Sequence, residues 1–510
     1  MFKFPNLLNQ LSFLSFLNKK KENIKPIKRE ILDMDFFSLL SYMSAISSSG
    51  ISRAGLFQHA SKLPYVSSRY FKKVDFVAKA FNHDYAEACR IVGEATKEPE
   101  VKAVLLRLSG ALASGEELDR FLAREARVFG ETYSNSYAGR LELLKKWTDA
   151  YIALIMTAAV VTVMAVVTMI IGNITVMMIM SLCSLTILVT IGGVWLIANQ
   201  APKEKRIHDL PIHSKEQELG KNLTRIILPL GLIVTAAVMV IKGNLGYGML
   251  TASAFLLPIG IIAFIDDSKI YKRDTEIAGF LRSIGGVSQA IRATVSEAMG
   301  RLDFRSMGTL RENVDLLYTR LRAGINPSLC WNRFVCESGS EQVSRSVRIF
   351  WDGVTLGGEP EKVGNEASAF SMQVAHLREQ RKLISNGLFM LAIAMHVVLT
   401  IVVVFIDQTI VTFCTLVKTV APGTNPSDML PGLQTFGIFG GNSMEINMLH
   451  FMVMIIVLVL TVANAVAVHA TDGGHINKLA LYLAITMAFS GAALVLVPPV
   501  VNMMLVGIGK

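Results

Sequence analysis

The side chains best placed for chemistry in this sequence sit in glycine turns and beside apolar runs rather than in groupings for bond making. Gly357-Gly358-Glu359 is followed by Lys362, and Arg378, Arg381 and Lys382 precede a long apolar run. A Gly-Gly pair in such a place is a helix break with a positive-φ residue or a tight helix contact. The glutamate behind it stands where a new helix begins, which suits a carboxylate. An earlier string has the same character: Ser109-Gly110, then Ser114-Gly115-Glu116, then Arg124. A structural turn explains either string alone; finding it twice, at equivalent places, points to a turn that shapes a shared surface.

Enzymatic groupings are missing. No G-x-x-x-x-G-K-[ST] occurs; the Gly-Lys pairs are Gly220-Lys221, followed by Asn222, and the terminal Gly509-Lys510. There is no H-E-x-x-H and no G-x-S-x-G. His208 and His213 sit in a charged stretch and read as a solvated face, while His469 and His475 bracket the turn Asp472-Gly473-Gly474. Cys89, Cys183, Cys330, Cys336 and Cys414 form no C-x-x-C and read as unpaired thiols in a reducing compartment or in lipid. No catalytic residue, cofactor or metal ligand is expected, and the chain is not read as an enzyme.

The elements that must position the two strings follow from composition. Of 510 residues, 52% are hydrophobic and 18% charged, below the roughly 25% charge of soluble domains. Mean hydropathy is +0.46. Apolar runs at 151–171, 174–198, 226–241, 249–265, 387–406, 448–469 and 479–505 predict seven membrane spans. The third and fourth are short, contain Pro229 and Pro258, and are read as spans, with a re-entrant hairpin as the alternative. Pro498-Pro499 is expected to kink or break the last.

Net charge is +10, and its distribution decides between nucleic acid and membrane. With 1–149 inside, 199–225, 266–386 and 470–478 are inside too, and together they hold 47 of the 50 Lys and Arg. The predicted topology is cytoplasmic N-terminus, outside C-terminus, and no nucleic acid partner. Ahead of Lys19-Lys20-Lys21, Phe4, Leu7, Leu8, Leu11 and Leu14 recur at helical spacing, an order wrong for a signal peptide. Segment 1–29 either lies on membrane lipid or packs on the protein's own cytoplasmic part.

Segments 30–149 and 266–386 are polar, helix-periodic and alike in length, and are expected to be two cytoplasmic helical bundles. Leu39, Leu40, Met43 and Ile46 mark one amphipathic helix, and Leu310, Val314, Leu317 and Leu321 another. A constant offset of 243 residues relates the two glycine strings and maps Phe37 onto Phe280, which points to a duplication. The fold class is thus all-α and polytopic: four spans in 150–265, three in 387–510, and an outside loop at 408–447.

The second polar segment carries a family resemblance. Trp331-Asn-Arg-Phe334, Glu337-Ser-Gly-Ser340, Asp352, Gly357 to Gly364, Ser368, Leu377-Arg378, Arg381 and Met395-His396 resemble the archaeal type IV pilus and archaellum platform family. That family belongs to the type II secretion system F group. The first bundle has Ala-Ser-Gly-Glu where the second has Gly-Gly-Glu. The resemblance implies a platform in the cytoplasmic membrane that couples a hexameric secretion ATPase to pilin- or archaellin-like subunits. It also implies a homodimer or smaller, a mismatch of symmetry with a six-fold ATPase. On this reading Gly357, Gly358, Glu359, Lys362, Arg378, Arg381 and Lys382 face the ATPase, matched by Gly115, Glu116 and Arg124. A multi-pass transporter and a membrane receptor or scaffold are the alternatives.

Overall fold

The computed structural model describes residues 29–171, 176–420 and 443–507. The expected N-terminal amphipathic segment and the junction between the first two expected spans fall outside them. Among the described residues every regular element is helical; the β pairing is an isolated bridge between Ile207 and Ser340. The chain begins with α1 (Arg29–Ser47), α2 (Arg53–Lys62), α3 (Ser68–Ala80), α4 (Tyr85–Ala95) and α5 (Pro99–Ser114). There follow α6 (Leu118–Ile171), α7 (Val176–Gln200), α8 (Lys215–Lys242) and α9 (Leu245–Ile291). A second short-helix set is α10 (Val295–Met299), α11 (Arg311–Arg322), α12 (Pro327–Ser338) and α13 (Glu341–Thr355). The chain closes with α14 (Pro360–Val420), α15 (Ser443–Asp472) and α16 (Leu479–Gly507).

These helices form two compact units. The first holds the described residues up to Tyr137, Lys203–Leu210 and Lys272–His376. Its core is the apolar face that the periodicity marks: Leu39, Leu40, Met43 and Ile46 of α1 are buried, as are Val314, Leu317 and Leu321 of α11. Each such side chain contributes about 1.5–3 kcal/mol by leaving water. Aromatic rings fill the rest. Phe36 meets Phe129 edge-on at 4.9 Å, Phe57 stacks on Tyr85 at 4.7 Å, and Trp331 packs among Phe280, Phe334 and Phe350.

Within this unit the two polar segments repeat each other element by element. Moving α3, α4 and α5 along by 243 residues lays them on 311–323, 328–338 and 342–357, where α11, α12 and α13 stand. The same shift carries the start of α6 to 361, beside the start of α14. Local devices recur as well. Arg90 pairs with Glu94 at 2.8 Å on α4, and Arg333 with Glu337 at 2.9 Å on α12. The Val66 N–H donates to Asp35 of α1; the Thr309 N–H, at the equivalent position, donates to Glu276 of α9. A carboxylate from the preceding helix thus satisfies the same orphan donor twice.

The second unit holds Ala138–Pro202, Pro211–Tyr271 and the described residues from Leu377 onward. Among the described residues six segments are long and apolar enough to cross a bilayer. They are Met180–Gln200, Lys215–Lys242, Leu245–Ile291, Pro360–Thr412, His450–Asp472 and Ile476–Met504. At 28 residues α8 is about 42 Å long against a hydrocarbon core of about 30 Å, so the 226–265 pair has the length of full spans. The seventh expected span, 151–171, is the end of α6, and about half of its side chains fall outside the described residues.

Two expectations need correction. The outside loop does not begin at 408: α14 continues to Val420, and α15 already starts at Ser443. Residues 408–420 contain no proline or glycine to stop a helix, so the helical ladder continues; the prolines that mark a loop begin only at Pro422. Of the two outcomes expected at Pro498-Pro499, a break is ruled out, because α16 runs on to Gly507. A proline keeps a helical φ, and in an apolar setting the neighbouring turns preserve the helix despite the lost donors.

Candidate functional site

The two glycine strings are helix-ending turns, and each launches a long helix. α5 stops at Gly115, whose φ of +74° is the left-handed conformation that glycine adopts without strain. The Glu116 N–H then bonds back to Ala111 O at 3.0 Å. Glu116 pairs with the exposed Arg124 at 2.9 Å, and α6 begins two residues after Glu116. In the second copy Gly357 takes the positive φ, +96°, and the Gly358 N–H bonds to Gly353 O at 2.9 Å. Gly358 is needed for space: a Cβ there would stand 2.7 Å from Gly353 O. Glu359 is exposed and accepts from Gln289 Nε2 at 3.2 Å, just before α14 starts at Pro360.

An ion pair joins the two turns. Lys362, in the first turn of α14, reaches Asp119, in the first turn of α6, at 3.0 Å. Its hydrogen bond is the main reason that the Asp119 carboxyl lies below its ordinary pKa; the Arg120 backbone N–H adds to it. Gly115, Glu116, Gly358, Glu359 and Lys362 therefore belong to one pair of linked turns. Asp119 was not among the expected residues, although the 243-residue offset from Lys362 points straight at it.

Arg378, Arg381 and Lys382 do not share this arrangement, and for Arg378 and Arg381 burial corrects the expectation that they form outward-facing surface. They belong to the second unit, and Arg378 and Arg381 are buried. Arg381, 1% exposed, donates to Thr471 O (2.9 Å) and Ala470 O (3.1 Å) at the end of α15 and to Pro202 O (2.6 Å) just past α7. Carbonyls at a helix C-terminus lack intrahelical partners and carry the negative end of the dipole, so a guanidinium there satisfies several at once. Gly473, φ +67°, makes room: a Cβ at this position would meet the Arg381 guanidinium. Lys478 is likewise buried, between Asp267 and Asp472, each at 2.7 Å. Lys382 lies over the Tyr271 ring at 3.7 Å.

Two polar features escaped the sequence reading. Arg345 of α13 is buried and bonds Asp35 (2.7 Å) and Ser38 (2.9 Å) of α1 and Glu341 of its own helix, beneath the Tyr65 ring. His208 is not on a solvated face. It is buried, accepts from the Leu210 N–H at Nδ1, and faces Cys336 O with Nε2 at 3.1 Å. Periodicity cannot reveal either, because both partners lie far off in sequence. In the second unit His396 is enclosed by Asn464 (3.1 Å), Ser490 (2.9 Å) and Thr486 O (3.1 Å), and Asn464 also accepts from Tyr151. Asn502 bonds Thr412 and Gln408, so Asn464 and Asn502 both bridge helices.

Long apolar helices joined by buried polar bridges, beside a helical polar unit with an internal repeat, define an all-α, multi-pass membrane protein. The chain is similar to flagella accessory protein J of Methanocaldococcus jannaschii, 24% identical over 323 residues, 61% of this chain and 57% of that protein. It is similar to the protein of the same name from Methanococcus voltae, 22% identical over 293 residues, 55% of this chain and 51% of that one. The chain spans about half the length of the curated relatives it matches. No family model and no solved structure matches it. The platform-family resemblance read from residues 331–396 is borne out by these relatives.

Proposed function

We propose that this protein is the membrane platform of an archaellum-type filament assembly machine, with a cytoplasmic N-terminus and an outside C-terminus. Its first unit receives a hexameric secretion ATPase, and its spans pass the movement to pilin- or archaellin-like subunits. It carries out no chemistry itself. One observation carries this reading: two equivalent turns, tied by Lys362 and Asp119, start α6 and α14, and α14 runs on without a break between Arg378 and Asn386 into apolar sequence. A stiff helix transmits a push at one end to the other. The docking surface is centred on Gly115, Glu116, Arg124, Gly357, Gly358, Glu359 and Lys362.

The transporter alternative requires a polar path across the bilayer. Between the His396 cluster and the Asp407–His450 pair, α14 buries Leu399, Val403 and Val404, which favours pins between helices over a conduit. The test is capture of tagged full-length protein in detergent, with identification of what co-purifies. A P-loop secretion ATPase together with prepilin-like proteins is expected, and a Glu359→Lys protein that inserts normally is expected to lose the ATPase. Recovery of a signalling protein or a small molecule instead would favour the receptor or transporter. Normal filament assembly by inserted Glu359→Lys protein would remove the turn from the docking surface.

A further inference from the structure

The two faces of α3 have opposite chemistry. Inward, Phe71, Val74, Val77 and Ala78 are buried. Outward, Lys72, Lys73 and Lys79 are exposed, and so is the ring between them, Phe76, at 54%. The lysines stand four before, three before and three after Phe76, the spacings at which helical side chains are neighbours. Asp75 is the one carboxylate on this helix, and it is already engaged by Lys79 at 2.8 Å and by Tyr85 at 3.0 Å. Among the described residues Lys72 and Lys73 form no ion pair. The neighbouring α2 adds Arg53 and Lys62, both exposed. Residues 53–80 hold six Lys and Arg against one Asp, so this hairpin carries a field of a single sign.

The internal repeat shows that the fold does not require this. On α11, the counterpart of α3, the positions of Lys72, Lys73 and Phe76 are taken by Asp315, Leu316 and Thr319. Asp315 is paired within its own helix, with Arg311 at 3.6 Å. Residues 296–323, the counterpart of 53–80, hold five Lys and Arg against four Asp and Glu. Both helices bury an apolar inner face, so the scaffold is common and the basic aromatic face belongs to the first copy alone. An exposed ring within a charged rim is the layout of a protein-docking surface. We infer that the outer face of α3 binds an acidic segment of a protein partner, whose apolar side chain covers Phe76 and whose carboxylates meet Lys72 and Lys73. A bilayer surface fits less well, since binding there takes a whole apolar face and only this one ring is left over from the core. No residue of the linked turns belongs to the surface. The partner is therefore additional to the one proposed for those turns, and the inference does not depend on the platform reading.

The test uses full-length protein in detergent and two short fluorescent glutamate-rich peptides, one with a central leucine and one with serine in its place. Wild type is expected to bind the leucine peptide more tightly, and both more weakly as salt is raised. Lys72→Glu with Lys73→Glu is expected to weaken both peptides by about tenfold or more. Phe76→Ser is expected to weaken the leucine peptide by about tenfold, down to the level of the serine peptide. Arg311→Glu with Arg322→Glu, on the equivalent helix, is expected to leave both unchanged. All of these side chains are exposed, and an unchanged melting temperature confirms that each variant is folded. Lys72→Arg with Lys73→Arg keeps the charge and is expected to keep the affinity. No binding of either peptide by wild type would overturn the inference, as would equal losses in the two Glu double variants, or a loss on Phe76→Ser that is the same for both peptides. A short-chain anionic phospholipid or a single-stranded oligonucleotide bound as tightly as the leucine peptide, with the same loss in the Lys72 and Lys73 variant, would overturn the protein partner in favour of lipid or nucleic acid. Capture of a secretion ATPase is expected to survive Lys72→Glu with Lys73→Glu; its loss would overturn the claim that this partner is an additional one.

Discussion

Arg345 is the residue on which the first unit depends most. Its guanidinium is buried with Asp35, Ser38 and Glu341 around it, and its charge is held on well above the ordinary arginine range: burial opposes the charge, but Tyr65, Asp35 and Glu341 more than offset that. Arg345→Met leaves Asp35 buried and unpaired, and is expected to cost about 3–5 kcal/mol, read as a fall in melting temperature. Arg345→Met with Asp35→Leu should recover most of it; a double variant as unstable as the single would mean that packing, not charge, is what the site supplies. Asp119 tests the opposite case, an exposed pair. Its carboxyl is depressed by Lys362, so its contribution is present above its unfolded pKa of about 4 and is lost as pH falls through the lower folded value. Asp119→Asn is therefore expected to be less stable than wild type at neutral pH, by less than about 1 kcal/mol, with the gap closing on acidification. A gap that widens in acid would contradict this. The sequence shows that Gly357, Gly358 and Glu359 form a turn, because glycine and a following carboxylate have local reasons to be there. It cannot show that Arg381 is buried, because the carbonyls it serves come from Pro202, Ala470 and Thr471.

The long helices α6, α9 and α14 cross the boundaries that composition draws. Composition changes sharply from polar to apolar near 150, 266 and 387, and a reader of composition places boundaries there. Each of those positions falls inside a helix that passes it unbroken. Helical hydrogen bonding is local and indifferent to whether side chains face water or lipid, so a change of solvent leaves no mark on the backbone. The spans and the short amphipathic helices were legible for the converse reason: their periodicity is written in side-chain type. If α14 works as a rigid strut, Asn386→Pro should disable it, since proline inside a helix costs about 3 kcal/mol or more and introduces a kink. The expected result is ATPase capture near wild type with loss of filament assembly. Filament assembly at the wild-type level would rule out a strut, whereas loss of both functions would show that the substitution disrupts the first unit itself.

At the scale of the molecule, the repeat was visible in the sequence as two glycine strings and one phenylalanine, too little to give a symmetry. The contacts between counterparts, Asp119 with Lys362 and Gly130 with Gln373, show that equivalent positions of the two copies meet across α6 and α14. The pairing of α1 with α13 has a practical result. Asp35 of α1 finds Arg345, and Tyr42 of α1 donates to Asp352 at 3.0 Å, both across more than 300 residues. A soluble fragment cut at 149 would keep Asp35 and Tyr42 and leave both partners behind. The side of α1 that meets α13 would then be open to water, with a buried acid uncompensated. Such a fragment is expected to aggregate or to melt without a sharp transition. A water-soluble version of the first unit has to be made by joining its distant pieces, not by truncating the chain.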